Sequence, residues 1–178
     1  FLHKADGSVF SDEETEKITA NLKRCFGLDS FSFCIESEPT PEAVFDMVKR
    51  SAPCYFDPIL EKRPSLLFRS RARRSDKKFP LKSPEISALL GGSLLEKVKV
   101  NLTEPDISIG IEVREETAIV YYETIKAPGG LPVSSNSPVL ALLSGGIDSP
   151  VACNMMMKRG CRMDFLTFHS FPYTPMES

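Results

Sequence analysis

The sequence predicts an α+β region followed by the opening of a doubly wound α/β domain. Between residues 11 and 122, amphipathic helical stretches are interspersed with short alternating strands. Past residue 138 an apolar strand, a glycine turn, a helix and a second apolar strand follow in direct succession. A stretch rich in Pro, Gly and Ser, 127–137, separates the two regimes and reads as a linker.

Ser11-Asp-Glu-Glu14 is a capping box, and the helix it opens sets Ile18, Leu22, Cys25 and Phe26 on one face before Gly27 stops it. Residues 31–36 alternate as a strand. Thr40-Pro41 is a helix start with proline at the first helical position, and Ala43, Val44, Met47 and Val48 form the buried face. Residues 53–64, punctuated by proline, read as a connection.

A strand over 66–73 and a loop over 74–80 lead to Ser83-Pro-Glu, which opens a third helix running to about Lys97, weakened by Gly91-Gly92. A short strand at 98–102 precedes 107–113 and 117–122, a predicted hairpin joined by Arg114-Glu-Glu116. The run 139–143 is apolar throughout, as in a strand buried on both faces of a parallel sheet. A helix from Val151 to about Lys158 and a strand over 163–168 follow.

Composition excludes several classes. With 42% hydrophobic and 26% charged residues the chain has an ordinary globular balance. No apolar run approaches the roughly 18 residues a transmembrane helix needs, and the start does not read as a signal peptide, so a cytoplasmic protein without a membrane role is expected. Five cysteines without a Cys-x-x-Cys pair predict reduced thiols and no structural metal. Both ends read as cut: residue 1 is Phe, and the last residues follow a strand that has just begun a new unit.

The net charge of −2 hides an asymmetry. Residues 62–82 hold nine Lys/Arg against Asp76 alone, hence +8, which leaves −10 for the remainder. Arg69, Arg71 and Arg73 are two apart on a strand and leave one face as a row. Arg74, Lys77, Lys78 and Lys82 follow. Arginine fits phosphate bidentately, so the segment is a candidate RNA-backbone contact. The plain alternative is a solvated strand face. No aromatic signature accompanies the row, so base stacking is not indicated.

The sharpest feature is Ser144-Gly-Gly-Ile-Asp-Ser149, set between strand and helix. Gly145 and Gly146 let backbone N–H groups converge without Cβ obstruction. Ser144 and Ser149 add hydroxyls, and the helix N-terminus adds partial positive charge. The loop suits a pyrophosphate. Asp148, the candidate catalytic residue, is placed to orient the loop or to help hold Mg²⁺. There is no Gly-Lys-Ser/Thr ending, so this is not a Walker A loop. It fits transfer of AMP with release of pyrophosphate better than transfer of a γ-phosphate.

These residues resemble the PP-loop of the N-type ATP pyrophosphatases. The run from Gly129-Gly-Leu-Pro-Val133 through Met157-Lys-Arg-Gly160 to His169-Ser-Phe-Pro-Tyr-Thr174 is similar to the tRNA 4-thiouridine synthetase (tRNA sulfurtransferase) family. Cys25-Phe-Gly27, Arg71 to Pro80, Ser83-Pro-Glu-Ile86, Leu89 to Gly92 and Val100 to Asp106 extend the likeness over nearly the whole chain.

The resemblance implies a ferredoxin-like region (1–62), a THUMP RNA-binding domain (63–126), the linker (127–137) and a truncated adenine-nucleotide α-hydrolase-like, Rossmann-like domain (138–178). It implies ATP-dependent adenylation of the uridine at tRNA position 8, and exchange of its O4 for sulfur delivered by a cysteine desulfurase. Sulfur transfer for thiamine thiazole synthesis would be a second role. Leu142, Leu143, Ile147, Thr167 and Phe168 would join the loop in bordering ATP. The family commonly has His where this chain has Thr167. tRNA would bind by its acceptor end and elbow, and a homodimer stays open. The chain alone is expected to be inactive.

Other residues read more plainly. His169 suits a structural hydrogen bond, Cys153 and Cys161 suit small buried hydrophobes, and Met155 to Met157 suit core packing. Two alternatives stand: a different PP-loop enzyme explains the loop but not the arginine row, and a non-enzymatic THUMP module explains the row but not the loop.

Overall fold

The computed structural model describes residues 2–4, 8, 10–75, 78–93 and 98–168. In chain order the elements are α1 (Asp12–Leu22), β1 (Leu28–Phe31), β2 (Cys34–Ser37), α2 (Pro41–Leu60), β3 (Leu66–Arg74), α3 (Ser83–Ser93), β4 (Val98–Val100), β5 (Ile107–Val113), β6 (Ala118–Tyr121), β7 (Ile125–Gly129), β8 (Asn136–Leu142), α4 (Asp148–Lys158) and β9 (Cys161–Leu166). They fall into two units, residues 1–14 with 32–125 and residues 15–31 with 126–178.

The first unit is built on a five-stranded sheet of order β2-β6-β5-β3-β4. β3 is parallel to both of its neighbours, while β5–β6 and β6–β2 are antiparallel. The hairpin predicted at 114–117 is present, with Arg114 N–H donating to Thr117 O at 2.8 Å. Alternation decides which face is dry. Ile109, Ile111 and Val113 of β5, Leu66 and Phe68 of β3, and Val120 of β6 are buried, and α2 and α3 cover them with Val48, Phe56, Ile86 and Leu90. Ser108, Gly110 and Glu112 alternate with these residues and face the other side.

Thr40 caps α2 as expected, its hydroxyl accepting Ala43 N–H at 3.3 Å. The helix then runs through Pro53 and Pro58 to Leu60, where a connection was predicted. Each proline removes a backbone donor. The stripe Val44, Val48, Ala52, Phe56 nevertheless continues at four-residue spacing, and all four side chains are buried. Burying that stripe holds the helix together past its breakers.

Ser11 opens α1 with the predicted box: its amide donates to Glu14 Oε2 at 2.8 Å, and its hydroxyl accepts Glu14 N–H at 3.3 Å. The single strand expected over 31–36 is two. β1 pairs with β7, β2 pairs with β6, and the units divide between Phe31 and Ser32. Ser32 is buried there, its hydroxyl 3.2 Å from that of Thr124. α3 is capped by Glu85 Oε2, which accepts Lys82 N–H at 2.6 Å. Its expected extension to Lys97 falls on residues 94–97, outside those described.

In the second unit β8 and β9 are parallel, joined through α4, as the strand–turn–helix–strand reading predicted. β8 is not buried on both faces: Leu140 and Leu142 are 64% and 61% exposed. Residues 127–137 begin inside β7 and end inside β8. Between the two strands Leu131 N–H donates to Lys158 O at 2.9 Å, so the stretch is tied to the end of α4. At Gly160, with φ +84°, a Cβ would come within 2.8 Å of Pro132 O, so glycine is required. α2 and β3, on either side of the boundary expected between 62 and 63, share one core.

Candidate functional site

The loop Ser144–Ser149 spans the carboxyl end of β8 and the start of α4, where open parallel sheets bind ligands. Its ends are tied together. Ser144 N–H donates to Ser149 Oγ at 3.2 Å, and the two hydroxyl oxygens are 3.1 Å apart. No side chain caps α4 at Ile147, so the cap residue does not compete for the helix's first amides.

Neither Gly145 nor Gly146 has positive φ. A Cβ at Gly145 would meet nothing within 4 Å, and one at Gly146 would meet Ser144 Oγ at 3.6 Å. Within this chain, then, the glycines serve no turn geometry. They leave open the space above the loop's amides, which fits a phosphate group. Asp148 is exposed at the first position of α4. Among the described residues no three of His, Cys, Asp and Glu stand together as a metal cluster.

Thr167 follows β9, and its hydroxyl donates to Leu143 O at 3.1 Å, while Leu143 N–H donates to Leu166 O at 2.8 Å. The Thr167 side chain therefore secures the root of the loop. Leu142 and Phe168 are exposed beside it, Phe168 at 80%. His169 lies outside the described residues.

The arginines divide. Arg69, Arg71 and Arg73 pair in register with Ser108, Gly110 and Glu112 of β5 and leave the sheet face opposite the helices. Arg69 is anchored, Nη1 to Leu102 O at 3.2 Å and Nη2 to Ser108 Oγ at 3.0 Å. Arg71 and Arg73 are exposed. Arg73 stands beside Glu112, whose carboxylate is 3.3 Å from Arg114 Nη2.

Arg74 does not join the row. It leaves the other face and donates to Phe79 O at 2.9 Å, as an odd step along a strand dictates. Lys82 heads α3 on that same helical side. Lys78 is described but belongs to the turn after β3, and Lys77 lies outside the described residues.

Two residues on the arginine face were passed over in the sequence. Lys99 of β4 is exposed next to Leu67 in register, extending the basic strip by one strand. Tyr121 of β6 lies across Gly110 of β5. Burial pushes the Tyr121 phenol up, Glu112 adds to this, and Arg73 and Arg71 oppose it. A glycine inside the strand Ile-Ser-Ile-Gly-Ile was the available signal, since such a residue marks close approach.

The model of the THUMP domain matches residues 42–123. The model described as "Thiamine biosynthesis protein (ThiI)" matches 134–178. A probable tRNA sulfurtransferase of Finegoldia magna is 40% identical over 175 residues, covering 96% of this chain and 42% of the relative. One of Moorella thermoacetica is 38% identical over 182 residues, covering 99% and 45%. The chain thus spans less than half the length of these curated relatives.

Among solved structures, PH1313 from Pyrococcus horikoshii superposes with a TM-score of 0.76 at 31% identity, covering 92% of this chain and 56% of that one. A 4-thiouridine synthetase in complex with RNA and with bound ATP superposes with a TM-score of 0.73 at 30% identity, covering 92% and 42%. Among the described residues no helix is long and apolar enough to cross a membrane.

Proposed function

We propose, from the premise that this chain belongs with the tRNA sulfurtransferases as a THUMP domain joined to the opening of a ThiI region, that the protein thiolates tRNA at the expense of ATP. Its substrate is the uridine at tRNA position 8, and its product is 4-thiouridine. The observation that carries this reading is one chain holding both a tied glycine loop at a strand-to-helix junction and a row of arginines on a separate sheet.

ATP supplies the adenylyl group that makes the uridine O4 a leaving group. The chain's own residues prepare that step. Amides of Gly145 and Gly146, the first amides of α4 and the hydroxyls of Ser144 and Ser149 hold the pyrophosphate, whose charge suits the helix N-terminus. Asp148 would orient the loop and help to hold the Mg²⁺ that travels with the nucleotide. Leu142, Leu143, Ile147 and Phe168 border base and ribose, and Thr167 fixes the backbone at Leu143. Arg69, Arg71 and Arg73 hold RNA phosphates on the first unit's open sheet face, while Arg74, Lys77, Lys78 and Lys82 add positive charge in the sequence that follows.

Sulfur arrives on a cysteine desulfurase as persulfide. The name of the matched ThiI model supports the same sulfur chemistry in thiazole formation. A tRNA substrate fits a cytoplasmic location. Mass spectrometry of tRNA nucleosides from cells lacking the protein tests the reading. Loss of 4-thiouridine is expected, and an unchanged level would overturn it.

A further inference from the structure

Residues 131–136 close the end of α4 that lies away from the glycine loop. Met156 O accepts Arg159 N–H at 3.0 Å and Met157 O accepts Gly160 N–H at 2.9 Å, so the helix satisfies these two carbonyls itself. The next three carbonyls lie past the reach of the helix's own amides. Each takes a donor from the strap instead. Lys158 O accepts Leu131 N–H at 2.9 Å, Arg159 O accepts Asn136 Nδ2 at 2.6 Å, and Gly160 O accepts Asn136 N–H at 3.2 Å. The fit is close: a Cβ on Gly130 would collide with Lys158 O. Within the strap Ser135 N–H donates to Pro132 O at 3.1 Å, and Ser134 has a φ of +69°, left-handed although it carries a Cβ. Such a conformation persists where the surroundings fix it.

Asn136 is the centre of this arrangement. It is the first residue of β8, it pairs in register with Cys161, the first residue of β9, and it makes two of the three bonds to the end of α4. The same two elements meet again at the loop, where β8 ends at Leu142 and α4 begins at Asp148. Side packing restrains the helix little, since Cys153 alone of its described residues is buried and Val151 and Met155 are more than half exposed. The bonds at the carboxyl end are thus the specific restraint on where α4 lies. Eleven residues make a rod of about 16 Å, so a tilt at one end displaces the amides at the other.

We propose that Asn136 is a positioning residue for adenylation: held against the carboxyl end of α4, it sets the place of the phosphate loop at the amino end. The proposal rests on the adenylation reading above. In that step the uridine O4 forms a bond to the α-phosphorus of ATP as the bond from that phosphorus to the bridging oxygen breaks. Pyrophosphate leaves with the electron pair, and the uridine N3 proton is lost to solvent. Charge on the pyrophosphate grows as its bond breaks, so correctly placed amides bind it more tightly in the transition state than in bound ATP. A site of this kind needs its groups held to within about 0.5 Å. Loosening the strap should therefore act on kcat more than on ATP affinity, although Asn136 touches no reacting atom.

The test uses the full-length protein with ATP and tRNA. Asn136→Ala and Asn136→Asp should each lower kcat for tRNA-dependent pyrophosphate exchange about tenfold or more. Asp does so despite its equal shape, because a carboxylate cannot donate to Arg159 O. Asn136→Gln keeps the amide donor and should be the mildest of the three. By calorimetry, ATP affinity should fall no more than about threefold, with its stoichiometry and the affinity for tRNA unchanged. A purely structural defect would instead lower ATP stoichiometry and kcat together. Exchange within about twofold of the parent for both Ala and Asp, a loss matched by ATP stoichiometry, or Gln as harmful as Asp would each overturn the proposal. If the parent still exchanges pyrophosphate in that event, only the role of Asn136 fails. If the parent shows no tRNA-dependent exchange, the adenylation reading fails with it.

Discussion

The amide of Ser144 donates to the hydroxyl oxygen of Ser149 at 3.2 Å, tying the root of the glycine loop to the first turn of α4. The bond is exposed and joins the two ends of the loop, beside a 3.1 Å contact between the Ser144 and Ser149 hydroxyls. A neutral bond of this kind contributes about 0.5–1.5 kcal/mol net. Ser149→Ala in the full-length protein should therefore weaken ATP about two- to tenfold through the lost tie alone, with tRNA affinity unchanged. Calorimetric titration checks this, and unaltered ATP affinity would mean that the loop holds its shape without Ser149.

Asp148 is exposed at the head of α4, and the arginine row lies on a different sheet. Asp148→Ala should abolish tRNA-dependent pyrophosphate exchange in the full-length protein while tRNA binding stays within a few-fold. Normal exchange by the variant would remove Asp148 from the mechanism.

Arg71 and Arg73 are exposed on one face, whereas Arg69 is anchored and Arg74 points the other way. Reversal of Arg71 and Arg73 to Glu should weaken tRNA binding and lower the log–log salt slope by roughly 0.7–0.9 per lost phosphate contact. Arg74→Glu should change the slope less than either. Equal effects at all three positions would show that bulk charge, not the row, binds RNA.

Glu14 offers a pH signature. Lys4 Nζ lies 2.7 Å from its Oε2 and contributes most to holding the carboxyl down, with the Ser11 amide and hydroxyl next. Its pKa falls from 4.5 to about 2. A carboxylate depressed in the fold stabilises it above its unfolded value and loses that effect as pH falls through the folded one. The start of α1 should thus hold at pH 4.5 and fray toward pH 2, and Glu14→Gln should flatten that dependence. A carboxyl NMR titration with its midpoint near 4.5 would refute the pairing.

The parts of this molecule legible in the sequence are those set by neighbours along the chain. Both predicted caps, at Ser11 and Thr40, need only three residues of context. So do the hairpin at 114–117 and the strand–loop–helix around Ser144. What escaped was set by residues distant in sequence. The strand expected over 31–36 breaks at Ser32 because its two halves pair with different partners, β7 and β6. Arg74 separates from Arg73 because alternation within a strand outranks adjacency. The Tyr121–Gly110–Arg71 row exists only through register. Apolar composition alone implied that 139–143 was buried, yet Leu140 and Leu142 stand exposed.

The same distinction between local and distant causes can be tested at Phe56. Prolines at 53, 58 and 64 imply, locally, that residues 53–64 form a connection, and truncating Phe56 there would change stability by no more than about 0.5 kcal/mol. In the fold Phe56 is completely buried at the end of the α2 stripe. Its ring centroid lies 6.3 Å from that of Tyr122, edge to face, and 6.5 Å from that of Phe68. Tyr122 is itself fixed by a 2.6 Å hydrogen bond between its hydroxyl and that of Ser51, one helical turn back along α2. Removing the Phe56 ring opens a cavity bounded by helix and sheet, which neither can close without moving the other. Phe56→Ala should therefore cost about 3–5 kcal/mol. The cost should be read as a lowered denaturant midpoint with the slope retained. A loss under about 1 kcal/mol would mean that α2 ends near Pro53 in solution, as the local rules imply.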